Sequence, residues 1–154
     1  NRPVVGLGLG AQIVCIAAGG RTAQTGTRVH TGFARRVRDD ALGGHMPESF
    51  PFVSFMRDDA VLPTDSEILA VDDDGAPVVF TVGPDVICMT CHPGTGPLML
   101  RSLAAEVKAS EDELATELAF VDQYFPEMTT ALDSMMHGIA EATGWIVEDQ
   151  GDTG

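Results

Sequence analysis

The spacing of apolar and polar positions divides this chain into three stretches of different period. In "PVVGLGLGAQIVCIAAGG" two branched valines run into glycines at 6, 8 and 10, and an alanine-rich apolar run closes on Gly19 and Gly20. That order predicts a strand over 3–7, a tight turn over 8–10 and a helix over 11–18. Residues 21–60 read as short strands and loops: "RVHTGFARRV" alternates weakly, and "MPESFPFVSF" is turn chemistry followed by an apolar strand. "EILAVDDDGAPVVFTVGPDVICMTCHP" gives three strands, punctuated by Asp74-Gly75 and Gly83-Pro84. From Thr95 the period becomes helical. Thr95 can cap, Pro97 suits a first turn, and Leu98, Met99, Leu103 and Val107 recur on one face. Ser110 with Glu113 forms a capping box for a second helix through about Tyr124. A third helix is expected from Pro126, with Met128, Leu132, Met135, Met136 and Ile139 on one side, stopping at Gly144. The tail "EDQGDTG" is expected to be disordered. Mixed strands and helices with a strand-turn-helix opening mean a layered α/β fold.

Bulk properties narrow the function classes. A length of 154 residues suits one domain with a real core. No stretch nears the about 18 continuous apolar residues of a membrane helix, and no signal peptide is visible. Three cysteines do not make a disulfide framework, so a cytoplasmic location is expected. A net charge of −14 argues against nucleic acid as the main ligand. The charge is uneven: residues 1–38 carry six arginines and no acid, and all 23 acids follow. Arg21, Arg28, Arg35, Arg36 and Arg38 could face an acidic partner or a phosphate, but the plainer reading is a solvated acidic protein.

The glycine turn has two readings. "GLGLGA" satisfies G-x-G-x-x-A, the dinucleotide fingerprint, which also needs an acid about 20 residues further on for the ribose hydroxyls. Residues 12–38 contain no Asp or Glu, so this reading fails its confirmation. The alternative is a nucleophile elbow, a sharp strand-to-helix turn with small neighbours and Gly8 at its apex. Here "VVGLGLGAQIVCIAAGGR" resembles the "GxCxGxQ…GG" block of class I glutamine amidotransferases, especially the free-standing GMP-synthase-like ones. The likeness continues through "MPESFPFVSF", similar to a Leu-Pro-Asp-Ser-Phe stretch, and "VVFTVGPDVICMTCHPG", similar to a strand ending in His-Pro-Glu. It covers residues 3 to about 145.

The resemblance implies a class I amidotransferase-like, flavodoxin-like three-layer α/β domain over 1–108, without the family's N-terminal strands, then a helical extension over 109–146 and a tail over 147–154. It also implies a site that is mostly lost. The family's cysteine nucleophile falls on Gly8, its histidine base on His92 and the glutamate that orients the histidine on Gly94. Covalent acyl transfer needs an activated nucleophile, a base and an orienting group, so His92 is left as a vestigial base. By the same resemblance Gln12 would help to hold a glutamine-like molecule, and the Leu9 N–H would form half of an oxyanion hole. A relieved apex explains the glycine: an elbow at positive φ strains any other residue, so Gly8 is expected at φ > 0.

The expected function is therefore a binding or structural subunit without glutaminase activity. A partner protein or a second copy would cover the incomplete sheet, and no cofactor, nucleic acid or membrane is implied. The alternative is an active amidotransferase or related hydrolase that uses His92 with a nucleophile from elsewhere. Cys15 does not serve, lying about 10 Å along the helix from the apex at 1.5 Å per residue. Cys91 neighbours His92, but adjacent strand residues point to opposite faces. A minor alternative rests on Cys88-x-x-Cys91-His92, which matches c-type haem attachment or part of a metal site. The remaining features have plain readings: His30, His45 and His137 as isolated surface or core groups, Met128, Met135 and Met136 as core or subunit contact, and "DDDG" at 72–75 as a solvated turn.

Overall fold

A computed structural model describes residues 2–106, 108–110 and 112–146; the expected disordered tail lies outside them. The opening unit forms as its spacing predicts: strand β1 (Val4–Leu7) turns at Gly8 into helix α1 (Leu9–Ala17), which ends at Gly19 and Gly20. The three-strand stretch also forms, as β4 (Ser66–Val71), β5 (Pro77–Val82) and β6 (Val86–Met89). Between these units the chain departs from expectation. Residues 21–60 are not short strands but two long ones, β2 (Arg21–Arg36) and β3 (Ser49–Val61), paired antiparallel along most of their length. Their weak alternation reflects a ribbon whose outer part, from Arg21 to Arg28, is largely exposed on both faces, so no apolar period is needed there.

Helix α2 (Pro97–Glu106) is followed by a single 28-residue helix, α3 (Ala115–Ala142), where two were expected. The Ser110–Glu113 capping box is present, with the Ser110 N–H donating to the Glu113 carboxylate at 2.7 Å and the Glu113 N–H donating to Ser110 Oγ at 3.2 Å. It sits one turn ahead of the regular helix. Pro126 does not end α3, because packing overrides the local break: Leu118 and Val121 before it and Met128, Ala131 and Met135 after it are all buried.

One mixed sheet runs β1-β6-β5-β4-β2-β3, with β1 parallel to β6 and the other pairs antiparallel. Alternation along β5 and β6 divides two cores. Phe80 and Cys88 pack with Ala11 and Cys15 of α1, whereas Val79, Ile87 and Met89 face a larger cluster that includes Met135 and Ile139 of α3. A third cluster joins Val53 of β3 to Leu100, Leu118, Val121 and Met128 of α2 and α3. The sheet also curls. Just past β6, the His92 N–H donates to the Val53 carbonyl of β3 at 2.9 Å, so the last strand in the order meets the end of the second. β1 lies at the opposite edge and, among the described residues, pairs only with β6. Among the described residues no helix is long and apolar enough to cross a membrane.

Three of the six arginines of residues 1–38 pair with acids of the chain. Arg28 pairs with Asp59, Arg36 with Asp39, and Arg38 with Asp40 and Glu67. These are exposed or half-exposed pairs, each contributing little to stability.

Candidate active site at the strand-to-helix elbow

The elbow is built from both sides of Gly8. Its N–H donates to the Met89 carbonyl of β6 at 2.8 Å, and its own carbonyl accepts from the Ala11 N–H at 3.1 Å, which starts the helix. Gly8 has φ +53° and ψ −113°, a conformation that strains any side-chain-bearing residue. The expected positive φ is present.

His92 lies directly over this apex. A Cβ placed on Gly8 would be 2.6 Å from His92 Nε2, closer than real Cβ atoms approach, and a tight 3.1 Å from Cε1. The imidazole therefore fills the space in which a side chain at position 8 would begin. β3 holds it there: the Phe55 N–H donates to His92 Nδ1 at 3.2 Å, and Val53 accepts from the His92 N–H. Carbonyl 53 and N–H 55 project from the same, outer edge of β3, as alternate groups of an edge strand do.

This contact sets the tautomer. A backbone N–H can only donate, so Nδ1 is the unprotonated nitrogen and the proton of a neutral ring sits on Nε2. Burial lowers the His92 pKa below its ordinary value, because desolvation disfavours the imidazolium, and the ring is neutral at neutral pH. A general base at the apex needs a bare Nε2 and a proton on Nδ1 held by an acceptor. His92 has the reverse arrangement.

Gly94 has φ +81°, and a Cβ there would contact Leu132 Cδ2 of α3 at 3.3 Å. The space enclosed by His92, Gly94, Phe52, Met128 and Leu132 is about 10 Å³, room for about one water. A larger open groove of about 610 Å³ lies elsewhere, between Phe33 and Ser49 of the sheet and Tyr124, Pro126 and Thr130 of α3. Gln12 is buried on α1, and its amide nitrogen donates to the Asp58 carbonyl of β3. Leu9 opens the helix and is 69% exposed.

Comparison with known structures decides the fold. A glutamine amidotransferase from Thermotoga maritima superposes with a TM-score of 0.71 at 16% identity, over 92% of this chain and 62% of that one. The chain shares the fold of that glutamine amidotransferase. A second such protein, a glutamine amidotransferase from Methylobacillus flagellatus, gives 0.65 at 14% identity, over 88% of this chain and 63% of that one. The chain thus spans less than two thirds of the length of these structures. No protein-family model and no curated sequence matches it.

The cysteines of "CMTCH" do not share a site. Cys88 belongs to the α1 side of the sheet and Cys91 to the α3 side, and both are buried. Desolvation pushes Cys88 up to about 11 and Cys91 up to about 12, and it raises Cys15 as well. Two thiols on opposite faces cannot bond one haem, which removes the attachment reading. The histidines read as isolated are not. His30 lies 3.6 Å from an Asp72 carboxylate oxygen and edge-on to Phe52. His45 Nε2 lies 2.8 Å from Glu141 Oε2, and His137 Nε2 lies 3.1 Å from Glu141 Oε1. The spacing of four between His137 and Glu141 is the one sequence signal of this cluster; His45 is 96 residues from Glu141. Met128 and Met135 are core, and Met136 is 40% exposed.

Proposed function

We propose that this chain is an amidotransferase-like domain that does not hydrolyse glutamine by a covalent thiolate route and acts as a binding or structural part of an assembly. The observation that carries the reading is the imidazole of His92 standing where the first atom of a nucleophile would be. Three features support it together: Gly8 offers no nucleophile, Nδ1 accepts from Phe55 instead of donating to an acid, and Gly94 has no carboxylate to offer. Losing nucleophile and orienting group removes nearly all covalent rate. Gln12 and Leu9 remain as proposed contacts for glutamine or a related small molecule, with Gln12 needing to leave Asp58 to make one.

A protein surface is proposed to cover the edge of β1, either a partner or a second copy. Val4 and Leu7 on that strand are 44% and 45% exposed, and Leu9, Ile13 and Ile16 of the adjoining helix are 56–69% exposed. An unpaired strand edge beside apolar side chains is a surface that proteins usually cover. Three reduced, buried thiols suit a cytoplasmic setting.

The test is glutamine-dependent ammonia release by the wild type and by His92→Ala. Equal, background-level rates are expected. A wild-type rate that His92→Ala abolishes would overturn the proposal in favour of a hydrolase supplied with a nucleophile by another chain or segment. Gly8→Cys with Gly94→Glu is expected to remain inactive unless His92 vacates the apex.

A further inference from the structure

We propose that His45, His137 and Glu141 form a binding site for one divalent transition-metal ion of the zinc class, where the turn before β3 meets α3. The donor set is two imidazoles and a carboxylate, the ligand chemistry of three-residue zinc sites. The donor atoms of the three side chains lie within 4.8 Å of one another. Each oxygen of Glu141 faces one imidazole Nε2, at 2.8 Å for His45 and 3.1 Å for His137. The two rings meet edge to face with centroids 4.8 Å apart.

A tetrahedral ion with bonds of about 2.0–2.2 Å sets its donors roughly 3.3–3.5 Å apart. The His45 imidazole therefore has to retreat about 0.6 Å from the carboxylate and that of His137 about 0.3 Å, and a separation of up to 4.8 Å has to close by about 1.4 Å. Small side-chain rotations cover both movements. Three protein ligands leave a fourth position for water or for a group from another molecule. His137, with its side chain 49% exposed, leaves that side open to solvent.

The backbone around the site is arranged for this meeting. His45 follows a 3₁₀ turn, Ala41–Gly44, in which Leu42, Gly43 and Gly44 all have positive φ. For Leu42, at φ 51°, that conformation is strained. The turn lies against α3 at Gly138, where a Cβ would be 2.6 Å from the Leu42 carbonyl oxygen and 2.8 Å from His45 Cβ. Only glycine permits that approach. Ser134 Oγ then donates to the His45 carbonyl at 2.6 Å and fixes the residue beside the helix. His137 and Glu141 are four apart, one above the other on the same helical face. A strained turn, a glycine notch and a carbonyl clamp thus bring a third donor to a helical pair. In a chain of net charge −14, a dication meets a favourable field.

The test uses the untagged full chain, treated with a chelator and then titrated with cobalt(II) and zinc(II). One equivalent of cobalt(II) is expected to give the visible absorption of a four-coordinate ion, and zinc(II) to displace it. Zinc at a hundredfold excess over its Kd is expected to raise the unfolding midpoint by about 5–11 °C. His137→Gln, at an exposed position that leaves the fold intact, and Glu141→Gln are each expected to weaken binding at least tenfold. His30→Gln, outside the cluster, is expected to change nothing. Absence of the cobalt band in the wild type would overturn the proposal, as would equal binding by the wild type, His137→Gln and Glu141→Gln. Glutamine hydrolysis plays no part in these readouts, so the outcome is independent of the function proposed for the elbow.

Discussion

Replacing Gly8 with alanine tests the meeting of elbow and imidazole without asking for activity. Two costs are predicted. A non-glycine residue at φ +53°, ψ −113° carries backbone strain of about 1–3 kcal/mol. The new Cβ would also lie 2.6 Å from His92 Nε2, so the ring must swing away. That breaks the bond from the Phe55 N–H and leaves a half-buried donor unpaired, at about 1–3 kcal/mol. Together Gly8→Ala is expected to destabilise by about 2–6 kcal/mol. For a chain of this size the loss lowers the thermal midpoint by about 4–24 °C. The assay is urea and thermal unfolding of wild type, Gly8→Ala, His92→Ala and the double variant. Without the imidazole only strain remains, so Gly8→Ala in the His92→Ala background should cost about 1–3 kcal/mol. A cost under about 0.5 kcal/mol in the wild type, or the same cost in both backgrounds, would refute the contact.

Two further predictions concern titration and thiols. His92 binds its proton more weakly folded than unfolded, so its contribution to stability is complete above the unfolded pKa of about 6.5 and is lost as the pH falls below it. Urea midpoints from pH 7.5 to 5.5 should fall more steeply for the wild type than for His92→Gln, and nitrogen NMR should find the His92 proton on Nε2; parallel curves or a proton on Nδ1 would refute the assignment. Cys15, Cys88 and Cys91 should resist a thiol-exchange reagent at neutral pH and all react once urea unfolds the chain, since burial removes access and raises each pKa. Fast labelling of any of the three in the native protein would contradict that packing.

Local chemistry made the elbow, the β4–β6 stretch and the capping box legible. Glycine placement, turn pairs and a Ser–Glu spacing each act within a few residues. The long ribbon and the unbroken α3 were not legible, because both depend on what the chain packs against. The exposed outer half of β2 carries no apolar period, and Pro126 is tolerated because buried residues flank it on both sides. At the site, Gly8 and His92 could be placed opposite one another by resemblance. The state of His92 could not, since it is set by a backbone N–H from Phe55, and backbone groups leave no signature in a sequence. The His45–His137–Glu141 cluster was hidden for a related reason. His45 reaches α3 through a notch at Gly138, and nothing in either local stretch announces that the other is near.

The exposed flank of β1 runs directly into the elbow. Strand neighbours sit about 4.8 Å apart, and β1 ends at Leu7, the residue before Gly8. Any backbone that zips onto this flank would grip the peptide leading into the apex, one residue short of the glycine beneath the imidazole. Occupancy of the flank and the posture of His92 would then be one variable, so the resonances of a single ring would report whether a companion is bound.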